Sequence, residues 1–209
     1  MIEFHNEIDR PGDHLIVAFA GIGQRLGGIP FEFNTSLGEA DARVLFVRDA
    51  DRRWYQYDTE VINHVVRQIR DTAAAVGATR LSCIGNSMGG FGALMFGALC
   101  AADAILAFVP QTTVLPQHMA AMGDYRWPEH RNKIEAYTYP DLNALSGTKG
   151  RVTVHYGVDD ALDAAHANRL TWRSERIAHA GCKHNVAKVL RERGELVTAI
   201  RSALIDESR

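Results

Sequence analysis

The chain has little of what marks secreted, membrane-spanning or nucleic-acid-binding proteins. It holds three cysteines in 209 residues, Cys83, Cys100 and Cys182. That number is too small and too odd for a disulfide framework. Cys83 and Cys100 stand in apolar runs and are expected to be buried small hydrophobes, so a reducing cytoplasm is the expected compartment. No apolar run approaches the roughly 20 residues that cross a bilayer, so no membrane partner is expected. The segment Met1-Ile2-Glu3-Phe4-His5-Asn6-Glu7 lacks a basic stretch followed by an apolar one, and no secretory signal is expected. Neither sign of charge dominates: 23 Lys and Arg stand against 25 Asp and Glu. That balance leaves no basic footprint for nucleic acid. Repeats, low-complexity tracts and linkers are absent too, and one domain over residues 1–209 is expected.

What is present is an alternation of two periods. Short continuous apolar runs occur at 14–20, 43–48, 81–85, 104–109 and 151–156, with a weaker sixth at 174–180. Such runs suit strands buried on both faces, as in a parallel sheet. Helical patterns lie between them at 58–76, 88–101, 163–172 and 185–205. The first is capped by Asp58 or Thr59 and stopped by Gly77. The expected architecture is an α/β fold: a mostly parallel sheet of about six strands flanked by helices, joined by right-handed crossovers. Residues 111–145 break the alternation with Pro116, Pro128 and Pro140 and with Tyr125, Trp127, Tyr137 and Tyr139. A plain crossover needs far fewer residues, so short helices forming a lid over the carboxyl edge of the sheet are expected there.

One pentapeptide carries the chemistry. Gly85-Asn86-Ser87-Met88-Gly89 joins a strand-like run to a helix-like run. This is G-x-S-x-G in the strand–turn–helix setting of a nucleophile elbow. A serine exposed on so sharp a turn needs neighbours without a Cβ two positions before and two after. The helix that follows points its first N–H groups at the place where an oxyanion would form.

A nucleophilic serine needs a base, and the base needs an orienting acid. The loop Val158-Asp159-Asp160-Ala161-Leu162-Asp163 follows a strand end and offers three carboxylates. Asp159 is expected to face solvent. Asp160 is the first choice as acid, with Asp163 the alternative if it does more than cap a helix. His184, in the loop Gly181-Cys182-Lys183-His184, is the expected base; His179 falls inside a strand and is expected to be structural. Met88 N–H, and Ile22 N–H in the loop Ala20-Gly21-Ile22-Gly23, are the expected oxyanion donors. A metal site built from His179, Cys182 and His184 lacks a fourth ligand at recognisable spacing, and no metal or other cofactor is expected. A dinucleotide fingerprint fails because Leu26 stands where the third glycine belongs.

With Ser87, Gly21-Ile22-Gly23, Gly157-Val158-Asp159-Asp160 and Gly181-Cys182-Lys183-His184 in this order, the chain resembles the α/β-hydrolase superfamily over residues 14 to 205. It departs from the family in carrying Ala20-Gly21 where His-Gly usually precedes the oxyanion residue. The resemblance implies a small single-domain serine hydrolase that opens an ester or thioester through an acyl-enzyme on a small-molecule acyl substrate. An acyltransferase on the same triad, or a non-catalytic binding or assembly protein of the same fold, are the alternatives.

Overall fold

The structure, a computed structural model, describes residues 1–7, 9, 12–23, 32–38 and 42–206. Residues 24–26, on which the dinucleotide comparison turned, lie outside the described residues. The apolar runs become β2 (His14–Phe19), β3 (Arg43–Asp49), β4 (Arg80–Asn86), β5 (Ala104–Phe108), β6 (Arg151–Gly157) and β7 (Glu175–His179). A seventh strand, β1 (Ile2–Glu7), precedes them. The order across the sheet is β1-β3-β2-β4-β5-β6-β7. All neighbours are parallel except β1, which pairs antiparallel with β3, Ile2 opposite Asp49. The sequence pattern missed β1 because the strand lies at the sheet edge and is only half-buried, which dilutes its apolar signal.

Successive residues serve opposite faces. Leu15, Val17 and Phe19 join one apolar cluster, with residues of α2 (Thr59–Ala75), α3 (Met88–Leu99) and α6 (Ala161–Arg169). Ile16 and Ala18 join the other, with α1 (Asn34–Gly38), α7 (Val186–Glu192) and α8 (Leu196–Ile200). This double burial is why β2 reads as a continuous apolar run. Asp58 caps α2, accepting from Val61 N–H at 2.9 Å. Residues Met88 to Gly97 of α3 are all buried, as its apolar composition required. The single helix expected over 185–205 is three pieces. Gly194, at φ 73°, breaks the chain between α7 and α8, and a π-helical turn follows at Arg201–Ile205. Within 111–145 there are two short helices, α4 (Pro116–Ala121) and α5 (Pro128–Arg131), and a 3₁₀ turn at Leu142–Ala144.

The loop after β3 is folded around one carboxylate. Buried Asp49 accepts from the backbone N–H of Asp51, Arg53 and Tyr55 and from the Tyr57 hydroxyl at 2.6 Å. These bonds hold Arg52, Trp54 and Tyr55 at positive φ, a conformation costing on the order of 1 kcal/mol or more for a bulky residue. Trp54 and Tyr55 are core side chains.

Two buried histidines make stability pH-dependent. Burial, then the Arg80 charge, lowers His14 to about 4; burial, then His179, lowers His155 to about 4. Both are therefore neutral in the fold at pH 7, while the unfolded chain takes up protons near 6.5. Between those values the unfolded state binds more protons, so the contribution of these two groups to stability falls as pH drops from about 6.5 to about 4 and is constant above. Each group contributes at most about 3 kcal/mol to that loss. Urea midpoints measured across this range are expected to fall in the wild type and to fall less in His155→Gln; an unchanged slope would refute the assignment.

Candidate active site

The turn at Ser87 is built by close approach. A Cβ on Gly85 would lie 2.0 Å from the Gly89 carbonyl oxygen, and one on Gly89 would lie 2.2 Å from the Phe19 oxygen. Nothing larger than glycine fits at either position. Ser87 sits between them at φ 56°, ψ −118°, a strained conformation for a residue with a side chain. Its N–H donates to Phe108 O at 2.8 Å, which pins the turn to β5. Ser87 is 4% exposed.

The hydroxyl meets a histidine. Ser87 Oγ lies 2.8 Å from His184 Nε2, and His184 Nδ1 lies 2.8 and 2.9 Å from the two carboxylate oxygens of Asp163. A carboxylate only accepts, so Nδ1 carries the proton and Nε2 is free to accept from Ser87. Asp160, the first choice for the acid, does not make this contact. Asp160 Oδ1 accepts from Leu162 N–H and Asp163 N–H at 3.0 and 3.2 Å, as the N-cap of α6. Helix α6 begins two residues earlier than the sequence pattern suggested. Asp160 takes the cap, and Asp163, one turn inside, points inward at 1% exposure. Asp159 is exposed. His179 Nε2 lies 2.9 Å from His155 Nδ1, occupied away from the serine. His184→Ala is therefore expected to cost several orders of magnitude in kcat, and His179→Ala less than a few-fold. Steady-state kinetics on the two variants check this, and the reverse ranking would exchange their roles.

Of the two expected oxyanion donors, Met88 opens α3 directly after Ser87, and Ile22 follows β2. The two loops touch: a Cβ on Gly21 would lie 2.9 Å from Asn86 O. Neither the Met88 nor the Ile22 amide has a hydrogen-bond partner among the described residues. Glu32 ties the loops together, a role with no signal in the sequence. Its Oε2 accepts from Gly21 N–H at 2.7 Å and its Oε1 from Asn86 Nδ2 at 3.1 Å. Burial pushes the Glu32 carboxyl up, and these two bonds oppose the rise. Gly21, Glu32, Asn86 and His184 line a cavity of about 670 Å³, with Arg48 and Arg191 also in its wall. Gln111 Oε1 accepts from Trp54 Nε1 at 3.1 Å and lies 3.5 Å from Ser87 Oγ, and its amide nitrogen is buried without a partner among the described residues.

A salt-bridge network backs Asp163. Arg126 Nη1 is 2.9 Å from Asp163 Oδ1, and its Nε and Nη2 hold Asp124 at 2.7 to 3.1 Å. Asp124, fully buried, also accepts from His166 Nε2 at 3.0 Å. Burial works to raise the Asp124 carboxyl, and the bonds from His166 and Arg126 outweigh it and hold it well below the usual range. Among the described residues the group of three ligand-type side chains that converges is Asp160, Asp163 and His184, not His179, Cys182 and His184. The cation that meets them is the Arg126 guanidinium, whose Nη1 is 3.9 Å from Asp160 Oδ2 and 2.9 Å from Asp163.

No family model and no curated protein matches the chain by sequence. Solved structures do match by shape. The capsule O-acetyltransferase of Neisseria meningitidis serogroup A superposes with a TM-score of 0.64 at 14% identity, covering 94% of this chain and 91% of that one. Est1E from Butyrivibrio proteoclasticus gives 0.67 at 12%, covering 96% and 92%. An S-formylglutathione hydrolase from Agrobacterium tumefaciens gives 0.59 at 14%, covering 94% and 86%. With one mostly parallel sheet of this strand order and helices on both faces, the chain has the α/β-hydrolase fold.

Proposed function

We propose that the protein is a serine hydrolase that opens a carboxylic ester or thioester through an acyl-enzyme. The observation that carries this reading is the unbroken run Ser87 Oγ, His184 Nε2, His184 Nδ1, Asp163, with contacts of 2.8 to 2.9 Å. Ser87 is the nucleophile, His184 the base and Asp163 the acid. As Oγ bonds to the substrate carbonyl carbon, its proton passes to His184 Nε2, and the carbonyl oxygen becomes an oxyanion facing Met88 N–H and Ile22 N–H. The intermediate collapses by breaking the bond to the leaving alcohol or thiol, which takes the proton from Nε2. Water then repeats the sequence on the acyl-enzyme, releasing the acid and restoring Ser87. Asp163 stabilises the imidazolium that forms in each half and keeps the ring in the right tautomer.

The likeness to an O-acetyltransferase favours a second reading on the same groups, in which an acceptor hydroxyl replaces water. A fluorophosphonate probe tests what both share. The protein is expected to gain the mass of one adduct, on the peptide carrying Ser87. A protein left unlabelled under conditions that label a control esterase would overturn the proposal and favour a non-catalytic role. Adding alcohol acceptors to a labile acyl ester separates the two: acylated acceptor in excess over free acid marks transfer.

A further inference from the structure

We propose that Arg126 is a positioning residue of the reaction: its guanidinium bolts the acid of the triad to a buried anchor and so fixes the His184 ring. The inference rests on the assignment of Ser87, His184 and Asp163 above.

Arg126 lies between two carboxylates. Through Nε and Nη2 it grips Asp124, and through Nη1 it donates to Asp163 Oδ1 at 2.9 Å. Planar two-point contact of this kind suits a guanidinium and not an ammonium. Asp124 is itself fixed. It accepts from His166 Nε2, and His166 Nδ1 accepts from Thr112 N–H at 3.1 Å, so the His166 ring is held at both nitrogens. Arg131 Nη1 adds a bond to the Asp124 carbonyl at 3.1 Å. The anchor is rigid, and Arg126 transmits that rigidity to Asp163.

The contact of Arg126 Nη1 with His184 Nδ1 at 3.3 Å is not a hydrogen bond. A guanidinium nitrogen only donates, and Nδ1 carries the proton when Nε2 accepts from Ser87. Two donors therefore converge on Asp163 Oδ1 from adjacent directions. Arg126 occupies one approach to that oxygen and leaves the other to the imidazole, which limits how the carboxylate and the ring can turn. Asp163 is 1% exposed. Without Arg126, both Asp163 and Asp124 would be buried carboxylates short of a cationic partner, and water or rotation would take up the slack. A displacement of about 1 Å between catalytic groups costs roughly 100-fold in rate.

The test reads geometry and rate separately. The Nδ1 proton of His184, bonded to a buried carboxylate, is expected as a far-downfield proton resonance in the resting wild-type enzyme, assigned by its loss in His184→Gln. In Arg126→Lys, which keeps a positive charge and loses the fork, that resonance is expected to broaden or vanish. The kcat on a labile acyl ester should fall about 10- to 100-fold, with KM within about 2-fold. Asp124→Asn, which loosens the anchor and keeps Arg126, is expected to shift both readouts in the same direction by less, and it serves if Arg126→Lys does not fold. A resonance unmoved in both variants overturns the proposal whatever the rate does, as does a wild type with no such resonance. A resonance lost in a wild type-like fold that no ester or fluorophosphonate touches supports the positioning role and refutes the hydrolase reading instead.

Discussion

Ser87→Ala is expected to abolish turnover and probe labelling while leaving the fold intact. The loss of kcat should be about a million-fold, down to the background of oxyanion stabilisation and binding alone. Stability should change little, because the Ser87 hydroxyl makes one good contact, to His184, and alanine keeps the Cβ that the strained backbone already accommodates. Ser87→Gly makes the comparison sharper. At φ 56°, ψ −118°, a residue with a Cβ bears strain of about 1–3 kcal/mol, which glycine escapes at an entropic cost of about 0.5–1 kcal/mol. The glycine variant is therefore expected to melt at or above the temperature of the alanine variant, with equal inactivity. Such an ordering places the strain at the nucleophile, where function needs it. Calorimetry beside a spectrophotometric esterase assay measures both. Ester hydrolysis at the wild-type rate in Ser87→Ala would remove Ser87 from the mechanism.

The sequence made some of this legible for local reasons. The elbow can be read from five residues because its constraint is steric and short-ranged: Gly85 and Gly89 are where any side chain would meet backbone, at 2.0 and 2.2 Å. The strands β2 to β6 show because burial on both faces leaves few polar interruptions. His184 stands out in the sequence because it lies in a loop between a strand and a helix. What did not show depends on partners far along the chain. Glu32 is 54 residues from the Asn86 it binds, and Arg126 is 37 from Asp163. Neither sits in a periodic pattern, and a charged residue in a loop reads as solvated. Arg126 instead pairs with Asp124 and Asp163.

The proposed assignment of the acid to Asp163 turns on two residues of helix register. Three aspartates within five positions look alike in sequence, and the start of α6 decides between them. Asp163→Asn is expected to lower kcat by about four orders of magnitude with little change in KM. The reason is the tautomer. An asparagine at 163 can still offer its oxygen to Arg126 Nη1, at 2.9 Å in the wild type, and its NH₂ then faces His184 Nδ1. That nitrogen would have to accept, which puts the proton on Nε2, where it blocks transfer from Ser87. Asp160→Asn is expected to cost at most a few-fold in kcat. Asparagine caps a helix nearly as well as aspartate, so the bonds to Leu162 and Asp163 N–H survive within a few tenths of a kcal/mol. Asp160→Ala removes the cap and is expected to cost about 1 kcal/mol, with a modest loss of rate as the first turn of α6 frays beneath Asp163. The kinetics of the three variants separate capping from catalysis: a dead Asp160→Asn beside an active Asp163→Asn would return the role to Asp160 and show that the ring turns to a different carboxylate when substrate binds.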